Sequence, residues 1–308
     1  MRIGRSPVQI KSGIGDRQEH VIRTQQRRTA TGGAASPLPS TAEMVKIYSD
    51  VTGDGVPLLL MHGFAGSARN FRPQGRAFAD AYRTIVFDAR GHGRSEAPEE
   101  PSAYSVEHFV EDARRVLDRH GAPRAVIGGL SMGAAIALAF ARAHPDRVRA
   151  LVLASVPAGR GSGQGVAAIA KEFAELIETR GLEIAGERYV WGERSGLDEA
   201  TRPWVRQGFL EHAPHGLAHT LRGVIATLPT WAERPEALAD LDIPALVVAG
   251  SLDPPSRRAG EIVARALPQG RFVCIEGGGH VVNLSARVDF NHTVRAFLEG
   301  HAPSETHC

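Results

Sequence analysis

Six short apolar runs, each followed by a turn that is mostly polar or glycine-rich, recur along the chain and constrain its fold more than any other feature. The runs are Leu58–Met61, Thr84–Phe87, Ala125–Ile127, Leu151–Ala154, Ala245–Val248 and Phe272–Ile275. Continuous apolar runs of this length are typical of strands buried on both faces, as in a parallel sheet. Helical patterns separate most of the runs. The alternation therefore predicts an α/β fold with a mostly parallel, doubly wound sheet.

The alternation breaks once, between residues 156 and 240, where no strand-like run occurs. Ile169, Phe173, Leu176 and Ile177 lie on one face of a helical pattern there, and further helical stretches follow. This segment also contains all three tryptophans, Trp191, Trp204 and Trp231. We interpret it as a helical lid inserted into a core of residues 44–155 and 241–300. Additional core helices are the alternative, since large aromatic side chains fit ordinary packing as well as a pocket wall.

The two ends of the chain lie outside this pattern. Residues 1–43 contain seven Lys or Arg, three Asp or Glu and no hydrophobic periodicity, which predicts a disordered extension. A start at Met44, a passive extension and an Arg-rich transit leader are alternatives. Residues 301–308 are interpreted as a short tail.

The segment Gly129-Leu130-Ser131-Met132-Gly133 is the most informative for chemistry. It follows a predicted strand and precedes a helix expected to run from Met132 to His144, before Pro145. A serine in such a strand–turn–helix sits in a strained turn that needs small neighbours and exposes its hydroxyl. Ser131 is therefore the predicted nucleophile. A chance match is the alternative in a chain with 34 glycines.

A serine hydroxyl needs a base, and the base needs an acid that orients it. Asp253 follows the predicted strand 245–248, and His280 follows Phe272–Ile275 after three glycines. We predict Asp253 as the acid and His280 as the base. A turn aspartate before Pro254 and a structural histidine are the alternatives. Asp240 and Asp242 precede their strand, which puts them at the wrong end of the sheet.

Acyl chemistry also needs donors for an oxyanion. We expect the backbone N–H groups of Met132 and Phe64 to supply them, the latter from the loop His62-Gly63-Phe64. Both residues would also contact the substrate, and the Phe64 ring would form part of the pocket wall. The polar run from Asp88 to Ser95 is interpreted as a network that braces its loop. His62 is interpreted as a structural hydrogen-bonding residue.

Composition argues against several other classes of function. A formal net charge of +2 gives no reason to expect a nucleic-acid partner, and no apolar run has membrane-spanning length. His212, His215 and His219 have a spacing that suggests a metal site, but Pro214 and Gly216 are expected to interrupt the helix that would align them. We predict no metal and no cofactor. The two cysteines fit a cytoplasmic protein, and Cys274 is expected to be buried.

The motifs His62-Gly63-Phe64, Asp88–Ser95, Gly129–Gly133 and Gly278-Gly279-His280 occur in an order that resembles the α/β-hydrolase superfamily. The chain looks like its small bacterial enol-lactonases and carboxylesterases, and its elbow is similar to that of 3-oxoadipate enol-lactonases. The resemblance implies the α/β-hydrolase fold and hydrolysis. Relatives that cleave epoxides or carbon–halogen bonds use Asp as nucleophile, so Ser131 argues against those activities.

The implied reaction is cleavage of a small or medium ester, lactone or thioester through an acyl-enzyme. Three other reactions of a small-molecule substrate remain open on the same residues: carbon–carbon bond hydrolysis, acyl transfer to another acceptor, and perhydrolysis. A ligand-binding receptor with the same fold is an alternative from another class.

Overall fold

The structure, a computed structural model, describes residues 45–159, 165–192, 197, 199 and 201–300. The predicted extension 1–43 and tail 301–308 lie outside these residues. In the described part, one sheet contains the strands β1 (Ser49–Thr52), β2 (Val56–Met61), β3 (Tyr82–Phe87), β4 (Ala125–Leu130), β5 (Val148–Ala154), β6 (Ala245–Gly250) and β7 (Gly270–Ile275). Their order across the sheet is β1-β3-β2-β4-β5-β6-β7. Only β1 pairs antiparallel, so the predicted mostly parallel sheet is confirmed.

Helices cover both faces of this sheet. The α-helices described are α1 (Arg72–Phe78), α2 (Val106–Arg119), α3 (Met132–Ala143), α4 (Val166–Gly186), α5 (Arg202–Leu210), α6 (Pro214–Thr220), α7 (Pro254–Ala266), α8 (Val282–Ser285) and α9 (Arg287–Glu299). Buried residues of α2, α3 and α7 pack on one face, beside Leu59 and Ile127. Those of α1 and α9 pack on the other face, beside Leu58 and Leu60. Alternate residues of each central strand thus serve two cores, which explains the unbroken apolar runs.

The two edges of the sheet differ from the sequence-based expectation. β1 was not predicted, because its four residues include Ser49, Asp50 and Thr52 and it carries no continuous apolar run. At the opposite edge, the expectation that Cys274 is buried is wrong: its thiol is exposed. β7 has a neighbour on one side only, and most of its residues are only partly buried.

The segment between β5 and β6 folds into α4, α5, α6 and several short helical turns. It has its own apolar cluster, in which Phe173 stacks on Phe209 at a centroid distance of 6.0 Å. The Phe173 ring also meets Phe64 edge-on at 5.7 Å. The inserted helices therefore touch the loop that follows β2. Among the described residues, no helix is long and apolar enough to cross a membrane.

Candidate active site

Ser131 lies between β4 and α3, where the chain turns sharply from strand to helix. Its backbone has φ 54° and ψ −112°, a conformation that costs a non-glycine residue free energy. The turn is held because the Ser131 N–H donates to Ala154 O on β5 at 2.9 Å. Small neighbours are required: a Cβ on Gly129 would lie 2.3 Å from the Gly133 carbonyl carbon. A Cβ on Gly133 would lie 2.1 Å from Met61 O.

Asp253 and His280 are brought into direct contact, although 27 residues separate them. Asp253 follows β6 and His280 follows β7, and because these strands are parallel neighbours, their ends meet at one edge of the sheet. The distance from His280 Nδ1 to Asp253 Oδ2 is 2.6 Å. The aspartate side chain is 12% exposed and the histidine side chain 43% exposed. The imidazole is therefore anchored on its acid side and open towards solvent.

Ser256 is a third member of this contact that the sequence analysis missed. Its N–H donates to Asp253 Oδ1 at 3.3 Å, and its hydroxyl lies 3.5 Å from His280 Nδ1. Burial raises the pKa of Asp253, but the hydrogen bonds and charge of His280 and the hydrogen bonds of Ser256 outweigh it, so the pKa falls below its usual value. The only signal for Ser256 in the sequence is its position three residues after Asp253, the aspartate that caps α7.

Ser131 lies at the same carboxyl edge of the sheet as Asp253 and His280, after β4. Within the described residues, its hydroxyl has no hydrogen bond to His280 or to another side chain. Hydrogen bonds between a nucleophile and its base are often long before substrate binds. The structure thus joins acid and base, and places the serine at the end of a strand separated from β6 by β5.

The two predicted oxyanion donors flank Ser131. Met132 is the first residue of α3, where a backbone N–H has no partner within the helix. Gly63 approaches the serine so closely that a Cβ on it would lie 3.5 Å from the Ser131 Cβ, which places the Phe64 loop alongside. No hydrogen bond in the described part of the chain uses the N–H of Phe64. Both predicted donor residues therefore lie near Ser131, and their role as oxyanion donors stays a prediction.

The loop after β3 is braced as predicted. Asp88 Oδ1 accepts the Ala68 N–H at 2.7 Å, and Oδ2 accepts Arg94 N and Nε at 2.9 and 3.0 Å. Arg90 forms a buried, two-pronged ion pair with Asp112 at 2.7 and 2.8 Å. These contacts fix the loop beside the His62 loop and confirm the interpretation as a bracing network.

The predicted structural role of His62 is also confirmed. Its Nδ1 donates to Gly63 O at 2.7 Å, and its Nε2 accepts the Ala89 N–H at 2.9 Å. Burial lowers the pKa of His62 to about 4. The neutral ring therefore links the loops after β2 and β3, and holds the turn that carries Phe64.

His212, His215 and His219 each bond a backbone carbonyl through Nε2. The acceptors are Gly66 O, Ala97 O and Glu99 O, at 3.0, 3.0 and 3.1 Å. The expectation that Pro214 and Gly216 interrupt the helix is half right: α6 begins at Pro214, so His212 lies outside the helix that carries His215 and His219, but this helix continues through Gly216. Proline is well tolerated at the first position of a helix, where its missing N–H is not needed. The three rings join the inserted helices to loops of the core.

A cavity of about 570 Å³ lies next to this site. Its wall includes Phe64, Leu130 and Val281, which are the loop residue beside Ser131 and the immediate chain neighbours of Ser131 and His280. Trp204 of α5, with 80% of its surface exposed, contributes from the inserted helices. Ser131, Asp253 and His280 are not among its lining residues, so the cavity lies beside the site and extends between α1 and the insertion.

Comparisons with known proteins agree with this fold. A sequence model of the family described as alpha/beta hydrolase fold matches residues 56–181. Among curated proteins, the chain is similar to a putative 2-succinyl-6-hydroxy-2,4-cyclohexadiene-1-carboxylate synthase of Bacillus subtilis, with 29% identity over 78% of this chain and 89% of that protein. It is also similar to 3-oxoadipate enol-lactonase 2 of Acinetobacter baylyi, with 29% identity over 72% and 80%.

Among solved structures, a thermophilic esterase from Thermogutta terrifontis is similar, with a TM-score of 0.75 and 29% sequence identity. The similarity covers 86% of this chain and 97% of the esterase. The fold is therefore the α/β-hydrolase fold, and the relatives indicate a hydrolase.

Proposed function

We propose that this chain, which belongs to the α/β-hydrolase superfamily, is a cofactor-free serine hydrolase that acts on a carboxylic ester, lactone or thioester. Ser131 would be the nucleophile, His280 the base and Asp253 the acid. We further propose that residues 156–240 act as a lid and that the protein works in the cytoplasm.

The observation that carries the proposal is the contact of 2.6 Å between Asp253 and His280, at the same sheet edge as the strained turn of Ser131. A carboxylate that accepts the Nδ1–H of an imidazole fixes its tautomer and leaves Nε2 unprotonated. An unprotonated Nε2 can take a proton from a serine hydroxyl. Strain of this kind at a serine is typical of sites where one side chain must be held in a defined position.

We propose the following steps for these residues. Ser131 Oγ attacks the substrate carbonyl carbon while His280 Nε2 takes the proton of the serine hydroxyl. The carbonyl oxygen becomes an oxyanion, which accepts hydrogen bonds from the N–H groups of Phe64 and Met132. His280 then protonates the leaving oxygen or sulfur as its bond to carbon breaks. Water, deprotonated by His280, attacks the acyl-enzyme and releases the acid, and the serine regains its proton.

The size of the cavity supports a small or medium substrate, because pockets of about 300–1,000 Å³ suit such molecules. The names of two relatives, an enol-lactonase and an esterase, support ester-bond chemistry. Another relative, 34% identical over 55% of this chain, is named epoxide hydrolase B, but this chain has a serine, Ser131, in the strained turn where we propose the nucleophile. We therefore place the chain with the enzymes that form an acyl-enzyme.

The test is hydrolysis of 4-nitrophenyl esters of two to eight carbons by the wild type, Ser131→Ala and Ser155→Ala. Ser155 is a matched control, because it also follows a strand and also has a positive φ, of 47°. It is fully buried, and its hydroxyl has no partner among the described residues. We expect turnover to be lost in Ser131→Ala and kept in Ser155→Ala. Turnover retained in Ser131→Ala would exclude the proposed nucleophile, and a folded but inactive wild type would favour a binding protein.

A further inference from the structure

The cavity beside the site is unusually cationic. Its wall includes Arg69, Arg72, Arg76 and Arg287, and a single carboxylate, that of Glu211. Arg69 pairs with this glutamate at 2.6 Å. The guanidinium groups of the other three have no ion pair with any described residue. The wall thus carries about three uncompensated positive charges around one space.

Two of these arginines are fixed on one side of a short helix. Arg72 and Arg76 are four residues apart in α1, a spacing that puts side chains on the same face. Phe78 and Gln74 of the same helix are buried, so α1 turns its opposite side to the core. The arginine face of α1 is therefore held towards the cavity by packing, not by a partner charge.

Arg287 comes from a different part of the chain and reaches the same space. It is the first residue of α9. Gln74 of α1 donates to Asn283 O and to Asn291 Oδ1, both at 2.8 Å, and so fastens α1 to the segments on either side of Arg287. The two Gln74 hydrogen bonds, one buried and one partly buried, thus bring α1 and α9 together, so that the exposed arginines Arg72, Arg76 and Arg287 line one space from two elements.

Like charges that share a space repel each other, and the repulsion is relieved when an anion enters. The planar guanidinium fork fits a carboxylate with two parallel hydrogen bonds. At its other end the cavity is bounded by Phe64 and Leu130, next to Ser131, and by Trp204, which offers an apolar face. One molecule can therefore place a reacting carbonyl at the serine and a negative group among the arginines.

We propose that the substrate is an ester or lactone with a free carboxylate several bonds from the reacting carbonyl, and that Arg72, Arg76 and Arg287 bind this carboxylate. The proposal rests on the proposed serine hydrolase function and names its substrate class. The carboxylate remains ionised and unchanged throughout the reaction, and its contacts orient the carbonyl towards Ser131.

The experiment compares two esters with the same six-carbon acyl chain, 4-nitrophenyl hydrogen adipate and its neutral methyl ester. We expect the wild type to prefer the acid in kcat/KM by tenfold or more, and Arg76→Gln/Arg287→Gln to reduce this preference about tenfold. Arg265→Gln/Arg271→Gln is the control, because it removes the same net charge from exposed positions outside the cavity wall. A wild type without preference, or an equal loss in the control, would overturn the proposal.

A binding measurement separates this proposal from the proposed function. Adipate is titrated into Ser131→Ala and into the same protein with Arg76→Gln/Arg287→Gln, by calorimetry. We expect saturable binding to the first protein and a loss of tenfold or more in the second. If the wild type hydrolyses neither ester while adipate binding depends on the arginines, the anion site stands and the serine chemistry is wrong. Tighter binding of inorganic phosphate than of adipate would overturn the proposal that the arginines bind a carboxylate.

Discussion

His280 Nδ1 lies 2.6 Å from Asp253 Oδ2, and this contact joins the loops that follow two neighbouring parallel strands. The carboxylate is mostly buried, whereas the imidazole is partly open. Because Nδ1 is engaged, the ring presents Nε2 as its only free nitrogen. The geometry of this pair therefore decides whether the imidazole can act as a base.

Replacing the carboxylate of Asp253 by an amide tests this relationship. In Asp253→Asn the side chain keeps its size but can donate to the ring, which stabilises the wrong tautomer. We expect kcat for a 4-nitrophenyl ester to fall about 10⁴-fold. Asp240→Asn is the control, because Asp240 is exposed and precedes β6 instead of following it. A loss of less than tenfold in Asp253→Asn would contradict the assignment.

Ser256 is expected to position the acid. Its N–H and hydroxyl approach the Asp253–His280 pair from the first turn of α7. In Ser256→Ala we expect kcat to fall about tenfold, since one hydrogen bond contributes roughly 0.5–1.5 kcal/mol. KM and the melting temperature should change little, because the backbone N–H still donates. A purely structural role would instead lower the melting temperature and leave kcat unchanged, and thermal melts beside the kinetics distinguish the two.

The central strands were predictable because each is buried on both faces and reads as an unbroken apolar run. β1 was not predictable, since its residues are mostly polar and form a strand only by pairing with β3. The exposure of Cys274 was not predictable either, because a sequence does not give the order of strands across a sheet. An apolar run at an edge, such as Phe272–Ile275, looks like one at the centre.

In the candidate site, Ser131 was recognisable from its local motif, and Asp253 and His280 from their places after strands. The structure brings the last two together, and the roles of all three remain predictions. Ser256 was missed because its contact depends on how α7 begins, not on a motif. The cationic cavity was also invisible, since Arg76 and Arg287 are more than 200 positions apart and meet only through packing of α1 beside α9.

A substitution at Gly133 tests the close approach of α3 to β2. In Gly133→Ala the new Cβ would lie 2.1 Å from Met61 O and 2.8 Å from His62 O, and both are backbone atoms that cannot move aside easily. We expect a loss of about 3 kcal/mol in the free energy of unfolding. Gly208→Ala in α5 is the control: its Cβ meets nothing within 4 Å, so a gain of about 0.5–1 kcal/mol is expected. Equal effects in urea unfolding would contradict this account of the elbow.

The neutral state of His62 makes the stability of the fold sensitive to acid. Burial lowers its pKa from 6.5 to about 4, because a charged ring would lose water and would lose the hydrogen bond that Nε2 accepts from Ala89. The neighbouring ring of His92, 5.2 Å away, also has a pKa lowered by burial.

Unfolding therefore takes up protons between about pH 6.5 and 4, so the free energy of unfolding is highest above pH 6.5 and falls as the pH decreases. At pH 5, His62 alone accounts for about 2 kcal/mol of this loss. Urea unfolding at pH 7.5, 6, 5 and 4.5 measures the slope, and His62→Asn should reduce it by up to one proton even though the variant is less stable at every pH. If His62→Asn and the wild type took up the same number of protons on unfolding, the ring would not be held neutral by its burial and by the Ala89 N–H.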